Sequence, residues 1–377
     1  MELLNGLWHY VVPFLAVLSV LVFVHEWGHY WVARRCGVRI EAFSFGFGPE
    51  LLGRTDRHGT RWKLSLIPLG GYVKMFGDAG PASTPGEHVA EMSPEERRVS
   101  FFHQPLRKRT AIVAAGPAAN FAFAILVLAV LFATYGQPFT PPDIGAVSPG
   151  SSAEAAGLRA GDVVVEIDGK RIERFEEIQY LVRLAPEQPM ALVVERDGRR
   201  LTVSATPKAS TLYDRFGNVH RVGLLGISRA GMDYRRHDPV TAMVQAVRET
   251  SEITSGTLTA LWQMIAGLRG SEDLGGPLRI AQMSGEVAEA GIVSLIWFMA
   301  ILSVNLGLIN LFPVPLLDGG HLLFYGFEAV LGRPLGERAQ EYGFRIGLAL
   351  VLTLMVFATW NDLVHLRVVE FFKGLIS

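Results

Sequence analysis

Three segments of this 377-residue chain are too long and too apolar for the interior of an ordinary domain. They run over about 7–32, 111–135 and 292–312, and the second carries no charge at all. A helix needs roughly 20 apolar residues to cross a bilayer, so all three read as spans. A fourth run, about 346–360, is short but extendable at either end. Within lipid only helices and closed barrels satisfy their own backbone, so the class is a polytopic α-helical membrane protein. Half of the residues are hydrophobic and 19% are charged; the four runs account for that imbalance. The first run is not read as a cleaved signal. Glu2 precedes it, no basic residue does, and no small-residue cleavage pattern follows.

Charge sets the expected topology. Arg34, Arg35 and Arg39 follow the first run, Arg97, Arg98, Arg107, Lys108 and Arg109 precede the second, and Arg333, Arg338 and Arg345 lie between the third and fourth. All fall on one side, which the positive-inside rule makes cytoplasmic. Both termini and the segment 136–291 are then extracytoplasmic. Arg367 and Lys373 weakly oppose that orientation. The net charge of -1 gives no global reason to bind nucleic acid. A single cysteine, Cys36, excludes an intramolecular disulfide framework and a cysteine-only zinc site.

The extracytoplasmic segment opens with a loop at 136–142. Then come 144–147, a turn at 148–151, 153–158, strand residues over 161–169 closed by the turn signal Asp168-Gly169, and two strands, 190–196 and 199–205, that flank the turn Asp197-Gly198. A helical stretch covers about 175–184. This order resembles a bacterial-type PDZ domain, carried by the string PGSSAEAAGLRAGDVVVEIDGKRI. Such domains add an extended peptide to a sheet edge, so a peptide ligand, a size filter or a plain spacer are its readings. A polar stretch follows to about 221, then a strand at 222–227. From 239 to 268, Val240, Met243, Val244, Val247, Leu258, Leu261, Trp262, Ile265 and Leu268 recur at helical spacing. That face lies on the membrane surface or packs in a core. On the cytoplasmic side, 40–75 reads as a β-hairpin or small sheet, with alternation over 61–66 and His58-Gly59 near a turn.

The chemistry is concentrated at His25-Glu26-Trp27-Gly28-His29, near the cytoplasmic end of the first span. Residues four apart share a helix face, so His25 and His29 can hold one metal with imidazole nitrogens. Glu26 is placed beside them as a base for water. Three ionisable groups in an apolar helix are costly and mark function. A catalytic zinc takes a third protein ligand. Asp318, behind Pro313 and Pro315 at the end of the third span, is the candidate, with His321 as a rival. Asn305 and Asn310 lie in that same span and suit a substrate backbone or helix packing. Gly116 and Asn120 in the second span read as helix packing.

Taken together, the strings VHEWGH, FSFGFGPELLGRTDRHGTRWKLSLIPLGGYVKMFGD, GPAANF, GGPLRIA and SVNLGLINLFPVPLLDGGHLLF resemble the site-2 intramembrane zinc metalloproteases, most closely the bacterial RseP type that regulates σ-factor signalling. The resemblance implies zinc (Zn2+) on His25, His29 and Asp318, Glu26 as the catalytic base, a membrane-associated hairpin that presents substrate, and substrate contacts from Asn305 and Asn310. It implies a bacterial inner-membrane enzyme that cuts single-span membrane proteins, among them an anti-σ factor already trimmed by another protease and signal-peptide remnants. The best-known members carry two PDZ domains, and one is readable here.

The expected architecture is four transmembrane helices with a membrane-associated β-hairpin and an inserted extracytoplasmic α+β PDZ domain. Its segments are 1–39 (first helix, with the histidine motif), 40–108 (hairpin and basic loop), 109–136 (second helix), 137–209 (PDZ domain), 210–290 (strand and amphipathic region), 291–324 (third helix) and 325–377 (loop, fourth helix and tail). Two rivals stand beside a protease of this kind. One is a catalytically silent, membrane-anchored PDZ adaptor, against which the intact Glu26 counts. The other is a membrane-tethered zinc protease with a water-facing domain, which would not keep its zinc motif in the first span.

Overall fold

A computed structural model describes residues 2–80, 86, 89, 91–213, 219–231, 233–267 and 275–365. Arg367, Lys373 and Leu268 lie outside the described residues. In chain order the elements are α1 (Glu2–Arg35), β1 (Ile40–Thr55), β2 (Arg61–Met75), α2 (Pro94–Val99), α3 (Leu106–Thr134), β3 (Gln137–Phe139), β4 (Ile144–Val147), α4 (Ser152–Ala155), β5 (Val163–Ile167), β6 (Lys170–Arg171), α5 (Phe175–Leu184), β7 (Met190–Arg196), β8 (Arg199–Ala205), β9 (Lys208–Tyr213), β10 (Val219–Leu224), β11 (Ile227–Arg229), β12 (Asp233–Arg235), α6 (Pro239–Ile265), α7 (Pro277–Glu289), α8 (Ile292–Asn310), α9 (Asp318–Leu331) and α10 (Glu337–His365). The chain divides into two compact bodies. One comprises 1–129, 243–259 and 271–377; the other comprises 130–242 and 260–270.

In the first body, the four apolar runs are helices long enough to cross a membrane: α1, α3, α8 and α10. The shortest, α8, has 19 residues, which at 1.5 Å per residue is about 28 Å, close to the thickness of the hydrocarbon layer. The fourth run extends well beyond 346–360. Its N-terminal turns are charged, and Arg345 pairs with Glu341 one turn back at 2.6 Å, which favours a helix. The third run, expected over about 292–312, is α8, which stops at Asn310, and within the segment 291–324 a separate helix, α9, begins at Asp318. Pro313 and Pro315 lack the amides needed to continue α8.

The hairpin forms as expected. Asp56 ties its turn by accepting from the amides of His58 (2.8 Å) and Thr60 (3.0 Å). The open end of the hairpin is built into the core, where Phe43, Val73 and Met75 pack with Tyr30 of α1, Ile112 of α3 and Phe101. Leu51, Leu52, Leu66 and Leu69, further out, are exposed. A buried acid fixes another helix in this body. Asp362 of α10, 1% exposed, accepts from the amides of Gly276 (2.8 Å), Leu278 (3.0 Å) and Arg279 (3.1 Å). It thereby caps the N-terminus of α7 from another element, satisfying donors that have no partner within that helix.

The second body carries a four-stranded antiparallel sheet in the order β6-β5-β7-β8. Asp168, Gly169, Asp197 and Gly198 all have positive φ, as two-residue hairpin turns require. Helix α5 buries Phe175, Ile178 and Val182 against Ile144, Leu192 and Val194. Leu225 belongs to the same core, so this core draws on residues beyond 209. Three details depart from expectation. The opening loop contains β3, paired with β12. The polar stretch before 221 contains β9, paired with β10. The strand expected over 222–227 is interrupted at Gly226 (φ 81), where the chain leaves β9 and joins β4 through β11.

Helix α6 is capped by Asp238, whose carboxylate accepts from the amides of Val240 and Thr241. Its small face is buried at Ala242, Ala246 and Thr250, while Val240, Met243, Val244, Val247, Leu258, Trp262 and Ile265 are exposed. Most of the apolar stripe is therefore exposed.

Candidate metal centre

The site starts from local geometry. On α1, His25 and His29 lie one turn apart, and their Nε2 atoms are 3.2 Å from each other. The double-proline segment then brings Asp318, the first residue of α9, to the same point. Its Oδ2 is 3.0 Å from His25 Nε2 and 3.5 Å from His29 Nε2. A tetrahedral zinc with bonds of about 2.0–2.1 Å sets its ligand atoms about 3.3 Å apart. The three separations match the edges of that tetrahedron. Oδ2 of Asp318 is buried and accepts no well-formed hydrogen bond, as befits an atom whose partner is a cation. The donor set of two imidazoles and one carboxylate fits zinc. Among the described residues, His25, His29 and Asp318 are the His, Cys, Asp and Glu side chains that converge closely enough to hold an ion.

The second nitrogen of each imidazole is engaged by α3. Nδ1 of His29 donates to the Ile112 carbonyl at 2.8 Å, which leaves the Nε2 lone pair free for a metal. Nδ1 of His25 lies 3.2 Å from the Asn120 amide. Oδ1 of Asn120 has no partner. Oxygen and nitrogen of an amide exchange by a simple flip, and that flip pairs Oδ1 with the His25 Nδ1–H a metal on Nε2 requires. Gly116 supplies the space. A Cβ there would stand 2.2 Å from His29 Nε2 and 2.9 Å from His25 Cε1. The expectation that Gly116 and Asn120 serve helix packing is thus too narrow. The available signal was an amide inside an apolar run, one turn after a glycine. Asp362, also missed, carried a weaker signal as an acid just past the apolar run 346–360.

A cavity of about 270 Å³ surrounds the cluster. Glu26 lines it beside the histidines, and Gly70–Val73 of β2 forms one wall. Asn310 and His321 also line it. The ring of His321 packs 5.5 Å from that of Phe344, and His321 is not part of the converging trio. Asn305 stands elsewhere. It lines an adjoining, almost wholly apolar groove of about 410 Å³ with Phe14, Leu18, Leu21, Leu69 and Ile280. Its Oδ1 accepts from Thr257 of α6 at 2.9 Å. Gly70 and Leu306 line both spaces. The two asparagines are therefore not neighbours in one pocket; each marks one of two adjoining chambers.

The model of peptidase family M50 matches residues 13–354, from the first span through the fourth. This chain belongs to peptidase family M50. The M50 chain is 48% identical to a protein of Agrobacterium fabrum named as a zinc metalloprotease, over 94% of this chain and 95% of that one. It is 39% identical to Metalloprotease MmpA of Caulobacter vibrioides, over 97% and 98%. It is 33% identical to the regulator of sigma-E protease RseP of Salmonella typhimurium, over 96% and 99%. That last alignment spans 457 positions, so the relative carries insertions that this M50 chain lacks. A solved PDZ domain from the SdrC-like protein of Listeria innocua overlaps 25% of this M50 chain and 99% of its own length, at 20% identity and a TM-score of 0.20.

Proposed function

We propose that this zinc metalloprotease hydrolyses peptide bonds within the transmembrane segments of single-span membrane proteins. The observation that carries the proposal is the convergence of His25, His29 and Asp318 at tetrahedral spacing on and beside a helix long enough to span the bilayer. In this reading the three hold the zinc and Glu26 is the catalytic base. Bound there, zinc supplies the Lewis acidity that polarises a carbonyl and makes water acidic near neutral pH. Glu26 accepts the proton of the attacking water and returns it to the leaving amine.

A substrate helix hides its amides in internal hydrogen bonds and must unwind before it is cut. The wall formed by Gly70–Val73 offers it a strand to lie along. The Asn310 amide suits the backbone at the metal cavity. The apolar groove with Asn305 suits the segment still helical, once Thr257 releases that amide. Arginine clusters after α1 and before α3 put the metal near the cytoplasmic face, with the PDZ domain and both termini outside. Among substrates of this chemistry are an anti-σ factor shortened beforehand by another protease and signal-peptide remnants. One PDZ domain instead of two leaves a single peptide-binding module to screen them.

Membrane peptides of cells carrying wild-type protein or Glu26→Gln test this. Single-span fragments should accumulate in the variant. Equal fragment pools, with both proteins folded and zinc-loaded, would overturn the reading.

A further inference from the structure

The loop between α8 and α9 holds a leucine where backbone energetics call for glycine. The Leu317 amide donates to the Val314 carbonyl at 3.0 Å, closing a four-residue turn with Pro315 and Leu316 in its centre. Leu316 has φ +96. Proline followed by a residue of positive φ is the pattern of a type II turn, whose third position is normally glycine or asparagine. A γ-branched leucine is a poor occupant of that conformation. Such outliers persist where the surroundings over-determine them, and they cluster at functional sites.

The surroundings here do so from both sides. Helix α10 approaches so closely that a Cβ on Gly347 would stand 1.9 Å from the Pro315 carbonyl oxygen. From α9, a Cβ on Gly320 would stand 2.5 Å from the Val314 carbonyl oxygen. The turn cannot shift toward either helix. Its leucine side chain, half-buried, lines the metal cavity together with Glu26, Tyr72 and Leu306. A glycine would serve the backbone better, so the side chain itself is what the position retains.

We propose that Leu316 is a specificity-determining residue: held against the metal cavity by a turn that cannot retreat, it limits the bulk of the substrate side chain next to the scissile bond. Segments with small residues at that point are then preferred. This rests on the substrate class proposed above.

The test uses the full chain, zinc-loaded and reconstituted in liposomes. A single-span protein that it cuts is made with Ala, Leu or Phe beside the scissile bond. The kcat/KM preference for Ala over Phe should fall at least about tenfold in both Leu316→Ala and Leu316→Gly, since a few methylenes in a packed apolar pocket discriminate on that scale. Zinc affinity, measured by chelator competition, should stay within about twofold of wild type. The thermal midpoint of Leu316→Gly should be no lower than that of wild type. An unchanged preference would overturn the proposal. So would a loss of zinc affinity parallel to the loss of activity, because the residue would then act on the ligand set. If the wild type cuts water-soluble peptides and no membrane segment, the substrate class fails instead; the same side-chain series in such a peptide then decides the role of Leu316.

Discussion

Gly116 and His29 are separated by too little space for even a methyl group: a Cβ at 116 would lie 2.2 Å from His29 Nε2. The second span thus approaches the face of the first that carries His25 and His29 more closely than any other residue type would allow. Replacing Gly116 with Ala should displace an imidazole while leaving α3 intact, because alanine is the better helix former. Purified Gly116→Ala should retain helical circular dichroism and lose at least about tenfold in zinc affinity, the low end of what disturbed ligand surroundings cost.

Asn120 is expected to act on His25 through its acceptor oxygen. Asn120→Ala should weaken zinc binding by about 10- to 100-fold. Asn120→Asp keeps an acceptor at the same place and should lose much less. Chelator competition at neutral pH separates the two variants; equal losses would show that the oxygen is not what matters.

Asp362 caps α7 from the fourth span, so Asp362→Ala leaves three amides without their acceptor. Removing an N-cap costs about 1–2 kcal/mol. Hydrogen exchange at Gly276, Leu278 and Arg279 should accelerate, while amides of β5 and β7 stay protected. Asp362→Asn, which retains an oxygen, should fall between.

The second body contains a fork in which Arg196 holds the buried Asp162 at 2.6 and 2.7 Å. Burial pushes the Asp162 carboxyl up, but the Arg196 fork and the Arg159 amide outweigh it and hold it below the ordinary aspartate range. A carboxyl that is more acidic when folded contributes stability above its unfolded pKa of about 3.9, and that contribution disappears as pH falls through the lower folded value. Protection of the β5 and β7 amides should therefore be undiminished at neutral pH and decline below about pH 4. In Asp162→Asn it should start lower and lose most of that acid dependence.

The parts legible in advance were those with short-range causes. Asp168-Gly169 and Asp197-Gly198 made their turns because only a few dihedrals are involved. The spans followed from apolar length, and the shared face of His25 and His29 followed from the helical repeat. The end of α8 near 312 and the break before Asp318 were legible in Pro313 and Pro315, but the prolines do not say that a new helix, α9, begins at Asp318 itself. Gly226 escaped notice as a strand breaker because the decision to leave β9 for β4 is made by two distant partners.

The amino-acid sequence by itself determined the membrane class, through the length of its apolar runs, and the shared face of the histidine pair and the strand character of 61–66, through periodicities of 3.6 and two residues. Tertiary structure decided whether Asp318 or His321 reaches the histidine pair, why position 116 has no side chain, what Asn120 and Asp362 face, and that Asn305 and Asn310 belong to separate chambers. Those outcomes depend on the distances between helices far apart in the chain. Such distances are set by the packing of many small contacts at once, and no local pattern of residues encodes that sum.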